Sequence, residues 1–145
     1  MQIVVDPELK ADDATVIRDG LHAYNDSKVD SPDGHLGILL KDDAGTTVGG
    51  LTGRWYYGWL FVELLFLPEQ YRGQDFGTRI MRAAETYAKE QGMTGIWLDT
   101  FGFQARGFYE KLGYVVFGEL PDYPVGHSRY FLQKRLGASS NPNES

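Results

Sequence analysis

The chain has 145 residues, a net charge of −6, a hydrophobic content of 42% and no cysteine. This composition is typical of one folded domain and excludes disulfide bonds and a thiol nucleophile. A negative chain disfavours nucleic acid as a partner, no apolar run reaches the roughly eighteen residues that a membrane helix needs, and no secretory signal opens the sequence, so we expect a cytoplasmic protein.

The N-terminal third predicts a strand over residues 2–5, a helix or helix pair over residues 8–25, and a polar loop at Ser31-Pro32-Asp33-Gly34. Residues 1–35 hold eight acidic side chains against three basic ones. A solvated acidic surface is the simpler interpretation of this excess. The alternative is that the negative field attracts a cationic ligand.

The rest of the chain alternates strands and helices. We predict strands over residues 36–41, 47–56, 59–67, 95–100, 114–120 and 127–134, with helices over residues 76–91 and 104–112. In the first of these helices the apolar residues with helical spacing are Phe76, Ile80, Ala84, Tyr87 and Ala88. This order predicts an α/β (α+β) domain, with one mixed sheet of about six to seven strands flanked by helices. We expect residues 1–136 to form a single domain and residues 137–145, rich in Ser, Asn, Pro and Gly, to be disordered.

The most informative segment is Arg72-Gly73-Gln74-Asp75-Phe76-Gly77-Thr78, between the strand over residues 59–67 and the helix that follows. A glycine-bearing turn before a helix aims unpaired backbone N–H groups and the positive end of the helix dipole at one point, where a phosphate can bind. Neither a Walker loop nor a dinucleotide-binding fingerprint is present in the sequence. The three histidines have no metal-ligand spacing, so we expect no metal site.

A second segment, residues 104–114, predicts a short helix. Ala105, Phe108, Tyr109 and Leu112 follow the spacing of one helix face, and Gly113 stands where a helix C-terminus favours a left-handed residue. The loop at Arg72 resembles the Arg/Gln-x-x-Gly-x-Gly/Ala signature of the GNAT superfamily of N-acetyltransferases. The second segment resembles the Ala-x-x-Phe-Tyr-x-x-x-Gly-Phe block of the same family.

The resemblance implies a mostly antiparallel sheet, splayed between strands four and five when the strand over residues 2–5 is counted first. It implies transfer of acetyl from acetyl-CoA, without a metal, to a primary amine by direct attack in a ternary complex. The acceptor is expected to be a small molecule, and a cationic amine is one option for it. A homodimer is one option for the assembly of the chain. The implied CoA-binding residues are Phe66, Leu67, Arg72, Gly73, Gln74, Asp75, Gly77, Thr78, Gln104 and Phe108.

Two positions depart from the family pattern. Asp75 stands where the signature has glycine; it suits a helix N-cap, and we expect its carboxylate to point away from the phosphate while its backbone N–H serves. Gly102 stands where the family usually has an asparagine that bonds the pantetheine arm. Gln104 or a backbone group is expected to replace that contact.

Glu63 is the candidate general base, acting directly or through a water. It is the only charged residue between Trp59 and Pro68, and a carboxylate inside an apolar strand is costly unless it has a partner or a function. The alternative is a structural glutamate paired with Arg54. His127 is a second candidate base, although a lone histidine at a strand start is more often structural.

Tyr109 resembles the family's tyrosine that protonates the leaving thiolate; its alternative role is to fill the core. At the level of the whole chain, the alternative to an enzyme is an acyl-CoA-binding module without catalysis, in a sensing or regulatory role. The replaced residues Asp75 and Gly102 keep that alternative open.

Overall fold

The structure, a computed structural model, describes residues 1–137. The tail predicted to be disordered therefore lies outside the described residues, apart from Gly137. The chain divides into two compact units, Met1–Pro32 and a second unit that begins at Asp33. Each unit is described by itself, and the single-domain prediction stays a prediction.

The first unit contains one helix, α1, at Ala11–Asp26. The predicted strand over residues 2–5 is wrong, because these residues adopt no regular structure. A short apolar run becomes a strand only when a neighbouring strand accepts its hydrogen bonds, and no described residue pairs with it. The helix also begins three residues later than predicted, since the backbone of Lys10 is extended.

The second unit is built on one six-stranded sheet, which confirms the predicted fold class. Its strands are β1 at Asp33–Lys41, β2 at Thr47–Tyr56, β3 at Trp59–Phe66, β4 at Gly95–Phe101, β5 at Val115–Pro121 and β6 at Ser128–Arg135. The order in the sheet is β1-β2-β3-β4-β6-β5. All neighbours are antiparallel except β3 and β4, which are parallel.

The parallel pair separates partway along its length, at the two strands where the sequence predicts a splay. The pairing joins Trp59 through Val62 of β3 to Gly95 through Leu98 of β4, while β3 continues to Phe66 and β4 to Phe101. Among residues 1–137, the backbone of β3 beyond Val62 therefore has no partner on its β4 side. The splay opens a cleft in the middle of the sheet.

One face of the sheet is covered by α2 at Phe76–Glu90 and α3 at Arg106–Lys111. The helical spacing of Ile80, Ala84 and Ala88 puts these residues in the core, as predicted. They pack with buried strand residues such as Leu98 and Leu132. No helix within residues 1–137 is long and apolar enough to cross a bilayer.

Two boundaries differ from the prediction for reasons visible in the structure. Asp33 and Gly34 belong to β1 and not to a loop, and a side chain at Gly34 would overlap the Trp55 ring at 2.6 Å. The predicted helix over residues 104–112 is shorter, because Gln104 accepts a hydrogen bond from the Phe101 N–H at 2.8 Å and so closes the turn before α3.

Candidate active site

The splay between β3 and β4 opens into a cavity of about 640 Å³, a volume typical of a ligand site. Its walls come from the ends of both strands, the first turn of α2 and one face of α3. The lining includes eight of the predicted site residues: Glu63, Phe66, Leu67, Arg72, Gly77, Gln104, Phe108 and Tyr109. Residues from four separate parts of the sequence therefore meet at one place.

A second cavity, of about 450 Å³, is lined by five aromatic side chains and Gln133. Its lining residues are Tyr56, Tyr57, Trp59, Trp97, Phe117 and Gln133. This lining has no carboxylate to accept a proton and no helix terminus to hold a phosphate. The larger cavity is therefore the candidate active site.

The first turn of α2 presents free backbone donors. Within residues 1–137, no acceptor takes a hydrogen bond from the backbone N–H groups of Phe76, Gly77 or Thr78, and the first such bond at this end runs from Arg79 to the Asp75 carbonyl at 3.1 Å. Asp75 occupies the N-cap position, as predicted, but its side chain makes no capping bond and its φ of 71° is left-handed. The donors remain available to an anion.

Arg72 is tied to the strand that precedes it. Its Nε donates to the Leu67 carbonyl at 2.9 Å, which fixes the guanidinium beside the end of β3. Within the described residues, neither Nη group donates a hydrogen bond. Gly73, Gln74, Asp75 and Thr78 are not part of the cavity lining, so the structure brings only part of the predicted loop into the site.

Gly77 makes room for the aromatic floor of the cavity. A Cβ atom at this position would lie 3.2 Å from the Phe108 ring and 3.5 Å from Leu67. Phe108 in turn contacts Tyr109, with ring centroids 5.1 Å apart. Because close packing leaves little space for a side chain here, the glycine lets α2, α3 and the end of β3 approach one another.

Tyr109 is 8% exposed, and its ring packs edge-on to Tyr114 with centroids 6.2 Å apart. Burial, together with the negative charge of Asp99, raises the pKa of Tyr109 to about 12. The phenol is therefore protonated at neutral pH and can donate a hydrogen bond into the cavity. Tyr109 is both buried in the core and part of the cavity lining, so its position is compatible with either predicted role.

Glu63 lies one residue beyond the last β3–β4 pair, and its side chain is 35% exposed. Its Oε2 is 3.8 Å from Arg54 Nε, which is an ion pair but longer than a hydrogen bond. Both alternatives for Glu63 thus have some support: it has an arginine neighbour, and it lines the cavity.

Gln104 is oriented by the turn that it closes. Its Oε1 accepts from the Phe101 N–H at 2.8 Å and from the Thr100 hydroxyl at 3.1 Å. Because a backbone N–H can only donate, the amide oxygen must face it, which leaves the NH₂ group to the cavity. Gly102 has no side chain to offer there, and its N–H is bonded to the Ser128 carbonyl.

His127 does not line the cavity. It is exposed and packs edge-on to Phe103, with ring centroids 5.2 Å apart. The structure therefore gives no support to His127 as the base.

Sequence reasoning missed two charged residues of the cavity, Asp99 and Arg129. Arg129 Nη2 lies 2.8 Å from Asp99 Oδ1. Asp99 carries the same signal that identified Glu63, because it is the only charged residue within β4. Arg129 had no comparable signal, since charged residues are frequent at the start of a strand.

A model of the Acetyltransferase (GNAT) family matches residues 5–114. The chain is 35% identical over 137 residues to Acetyltransferase Atu2258 of Agrobacterium fabrum, which covers 94% of this chain and 100% of that protein. It is 39% identical over 95 residues to Blasticidin-S acetyltransferase of Streptomyces morookaense, which covers 65% of this chain and 70% of that protein.

Solved structures agree with these sequence matches. The crystal structure of an acetyltransferase from Bacillus cereus superposes with a TM-score of 0.84 at 32% identity. The match covers 92% of this chain and 98% of that one. The fold and the sequence relatives therefore point to the same family.

Proposed function

Because the chain belongs to the GNAT acetyltransferase family, we propose that it moves acetyl from acetyl-CoA to a primary amine of a small molecule by direct attack in a ternary complex. Membership of this family makes the chain an acyltransferase and sets aside the binding module without catalysis. The acceptor, the cosubstrate and the roles of individual residues are the proposal.

One observation carries it: a single cavity at the splay joins a free strand edge, a carboxylate and a phenol, and it reaches the first turn of α2, with its free N–H groups, at Gly77. The helix and Arg72 suit an anion, the strand edge suits an extended amide chain, and Glu63 and Tyr109 suit proton transfer. Acetyl-CoA has the matching groups in the same order: the anionic pyrophosphate, the amide-bearing pantetheine arm and the thioester.

We place the pyrophosphate at the N–H groups of Phe76, Gly77 and Thr78, with the Nη groups of Arg72 beside it. The pantetheine arm lies along β3 from Leu64 to Leu67, where the backbone has no partner on the β4 side. Its amides add to that edge as a further strand would. The free NH₂ group of Gln104 donates to the arm in place of the family's asparagine.

In the reaction the amine nitrogen attacks the thioester carbonyl carbon. Glu63 takes the first of the two protons that the ammonium loses, directly or through one water. The N–C bond forms, the C–S bond breaks, and the electron pair leaves on sulfur. The nitrogen then loses its second proton, which replaces, through water, the proton that Tyr109 gives to sulfur. Backbone N–H groups at the end of β3, around Phe66, stabilise the negative charge on the carbonyl oxygen.

Tyr109 donates a hydrogen bond to the leaving sulfur and then supplies its proton. With a pKa of about 12 the phenol is a weaker acid than a thiol in water, whose pKa is about 8.5. The same burial that raises the phenol pKa also disfavours the thiolate, which narrows the difference within the cavity. The hydrogen bond to the developing thiolate is therefore the larger part of its contribution.

Release of free thiol from acetyl-CoA with a panel of amines tests the function, with mass spectrometry to identify the acetylated product. The panel contains polyamines, aminoglycosides, amino acids, peptides and blasticidin S, the last because one relative is named for it. We expect one or more small-molecule amines to accept acetyl. Tight CoA binding without turnover of any amine would contradict the proposal.

Glu63→Gln tests the base. If Glu63 accepts the proton, kcat/KM of the unchanged protein rises with pH along a limb that the variant loses, and the variant recovers partly at high pH as free amine becomes populated. Glu90→Gln, at the exposed end of α2, is the matched control. A lower Tm with an unchanged profile would make Glu63 a structural partner of Arg54.

A further inference from the structure

Asp99 occupies the position on β4 that Glu63 occupies on β3. The last residues paired across the two strands are Val62 and Leu98, both buried, so the next residue on each strand begins the splay. Asp99 alternates with Leu98 and so faces away from it. At Glu63 a bulge against β2 interrupts the register. Its 3.8 Å contact with Arg54, which lies over the Phe61 ring, puts Glu63 on the face where Phe61 stacks on Trp97. The two side chains therefore stand on either side of the point where the cleft opens, and both line it.

The two carboxylates are held very differently. Asp99 Oδ1 accepts from Arg129 Nε at 2.9 Å and lies 2.8 Å from Nη2 of the same guanidinium. In the described part of the chain, the only charged partner of Glu63 is Arg54, at 3.8 Å. The side chain of Asp99 is 15% exposed, against 35% for Glu63. The guanidinium of Arg129 therefore fixes the Asp99 carboxylate, whereas the Glu63 carboxylate is held loosely enough to change position when it accepts a proton.

Arg129 is itself held in place. Its Nη1 donates to the Tyr123 hydroxyl at 2.9 Å, and its guanidinium lies over the rings of Phe101 and Tyr123, 5.5 and 4.9 Å from their centroids. Both contacts to Asp99 fall on the same oxygen, Oδ1. Within residues 1–137 no group donates a hydrogen bond to Oδ2. One oxygen of a fixed carboxylate is therefore left for a ligand.

We propose that Asp99 Oδ2 binds the acceptor's ammonium beside the thioester, and that Arg129 is the residue that positions Asp99. This inference rests on the proposed acetyl transfer and specifies its acceptor as a cationic primary amine. One N–H of such an ammonium donates to Asp99, and the proton of a second N–H passes to Glu63. The freed lone pair forms the bond to the carbonyl carbon, and the C–S bond breaks with its electron pair on sulfur. The nitrogen then loses one more proton, which balances the proton that Tyr109 gives to sulfur.

The arrangement also explains a preference between acceptors. An ammonium can satisfy both carboxylates, whereas a hydroxyl has one hydrogen and would leave one carboxylate without a donor. The charge of Asp99 acts on Tyr109 as well, because it adds to the effect of burial on the phenol pKa. Asp99 thus raises the phenol pKa in the same direction as burial does.

The test compares Asp99→Asn with the unchanged protein, using acetyl-CoA and the amine of the panel that supports the fastest thiol release. Asparagine keeps the shape and removes the charge. We expect KM for the amine to rise about tenfold to a hundredfold and kcat to fall, with the Kd for acetyl-CoA unchanged. Glu119→Gln is the matched control, because Glu119 is a hydrogen-bonded carboxylate of β5 outside the cavity.

Arg129 is tested by rescue. Arg129→Gln should raise KM for the amine, and Arg129→Lys should restore part of the loss, since lysine keeps the charge but not the two-nitrogen contact. If Asp99→Asn does not fold, Asp99→Glu carries the same test by moving the charge one methylene. Amine kinetics unchanged in Asp99→Asn, with normal turnover of the unchanged protein, would overturn this inference alone. Absence of turnover with every amine would overturn the proposed function as well.

Discussion

The hydroxyl of Tyr109 can be removed without leaving a protein group unpaired. Within residues 1–137 no group exchanges a hydrogen bond with it, although the ring is buried against Phe108 and Tyr114. Tyr109→Phe should therefore leave Tm and the Kd for acetyl-CoA nearly unchanged, while kcat falls about tenfold or more, as for a positioned proton donor. Steady-state kinetics and calorimetry measure the two effects, and Tyr87→Phe is the control on α2. An unchanged kcat would leave Tyr109 as a core residue only.

Arg72 should act on binding more than on turnover. Its Nε is fixed by the Leu67 carbonyl, so its free Nη groups are held near the N-terminus of α2. Arg72→Ala should weaken acetyl-CoA binding by about tenfold, the loss of a charge-assisted hydrogen bond, with a smaller change in kcat at saturation. Arg79→Ala removes the same charge from the same helix end, but Arg79 lies outside the cavity. Equal affinity losses in the two variants would indicate a general charge effect.

The two charged cavity residues Asp99 and Arg129 differ in how far the sequence could have identified them. The charge of Asp99 inside an apolar strand was as readable as that of Glu63, and only its position beside Glu63 required the β3–β4 register. Arg129 could not be found in this way, because its role depends on Asp99, which lies thirty positions away in the chain. Pairings between distant residues are set by the fold and leave no local pattern.

At the scale of elements, the spacing of apolar residues and the positions of glycines were sufficient to predict most helices and strands of the second unit. The spacing of Ile80, Ala84 and Ala88 predicted the buried face of α2, and Gly113 has the left-handed φ of 97° that ends α3. The prediction of a strand over residues 2–5 was wrong, because a strand needs a neighbouring strand and the local sequence does not show whether one is present. The prediction of a loop at Gly34 was wrong, because glycine is required there by the ring of Trp55 on the next strand and not by a turn.

A buried charge cluster joins α2 to the last two strands of the chain. Glu85 is 5% exposed and lies 2.8 Å from Arg82 and 3.2 Å from Lys134, and it accepts a hydrogen bond from the Tyr114 hydroxyl at 2.9 Å. Removing a buried charge from such a cluster leaves its partners uncompensated. Glu85→Ala should lower the free energy of unfolding by about 3–5 kcal/mol, measured by denaturant titration.

Glu110→Ala is the matched control for that variant. Glu110 also pairs with an arginine on its own helix, Arg106 at 3.1 Å, but the pair is exposed. Exposed pairs of this kind contribute less than about 1 kcal/mol. A loss in Glu85→Ala no larger than in Glu110→Ala would mean that the cluster does not stabilise the fold.

Considered as a whole molecule, the protein has two buried phenols whose protonation is tied to folding. Burial raises the pKa of Tyr109 and of Tyr114 above the usual 10, and the charge of Glu85 raises that of Tyr114 further. Between pH 10 and the folded pKa, the native state keeps protons that the unfolded chain releases. The contribution of these two phenols to the free energy of unfolding is therefore complete below pH 10 and falls as the pH rises toward their folded pKa values.

For Tyr109 the pH range over which this stabilisation is lost runs from pH 10, the ordinary pKa of the phenol, to the folded pKa of about 12. A difference of two units corresponds to roughly 2–3 kcal/mol of unfolding free energy that is lost across it. Tyr109→Phe removes this contribution, so its stability should fall less steeply than that of the unchanged protein over the same range, measured by denaturant titration at pH 9 to 12. Tyr56→Phe, which removes an exposed phenol, is the control. Parallel pH slopes for the unchanged protein and Tyr109→Phe would show that the Tyr109 phenol is not protonated more tightly in the native state than in the unfolded chain.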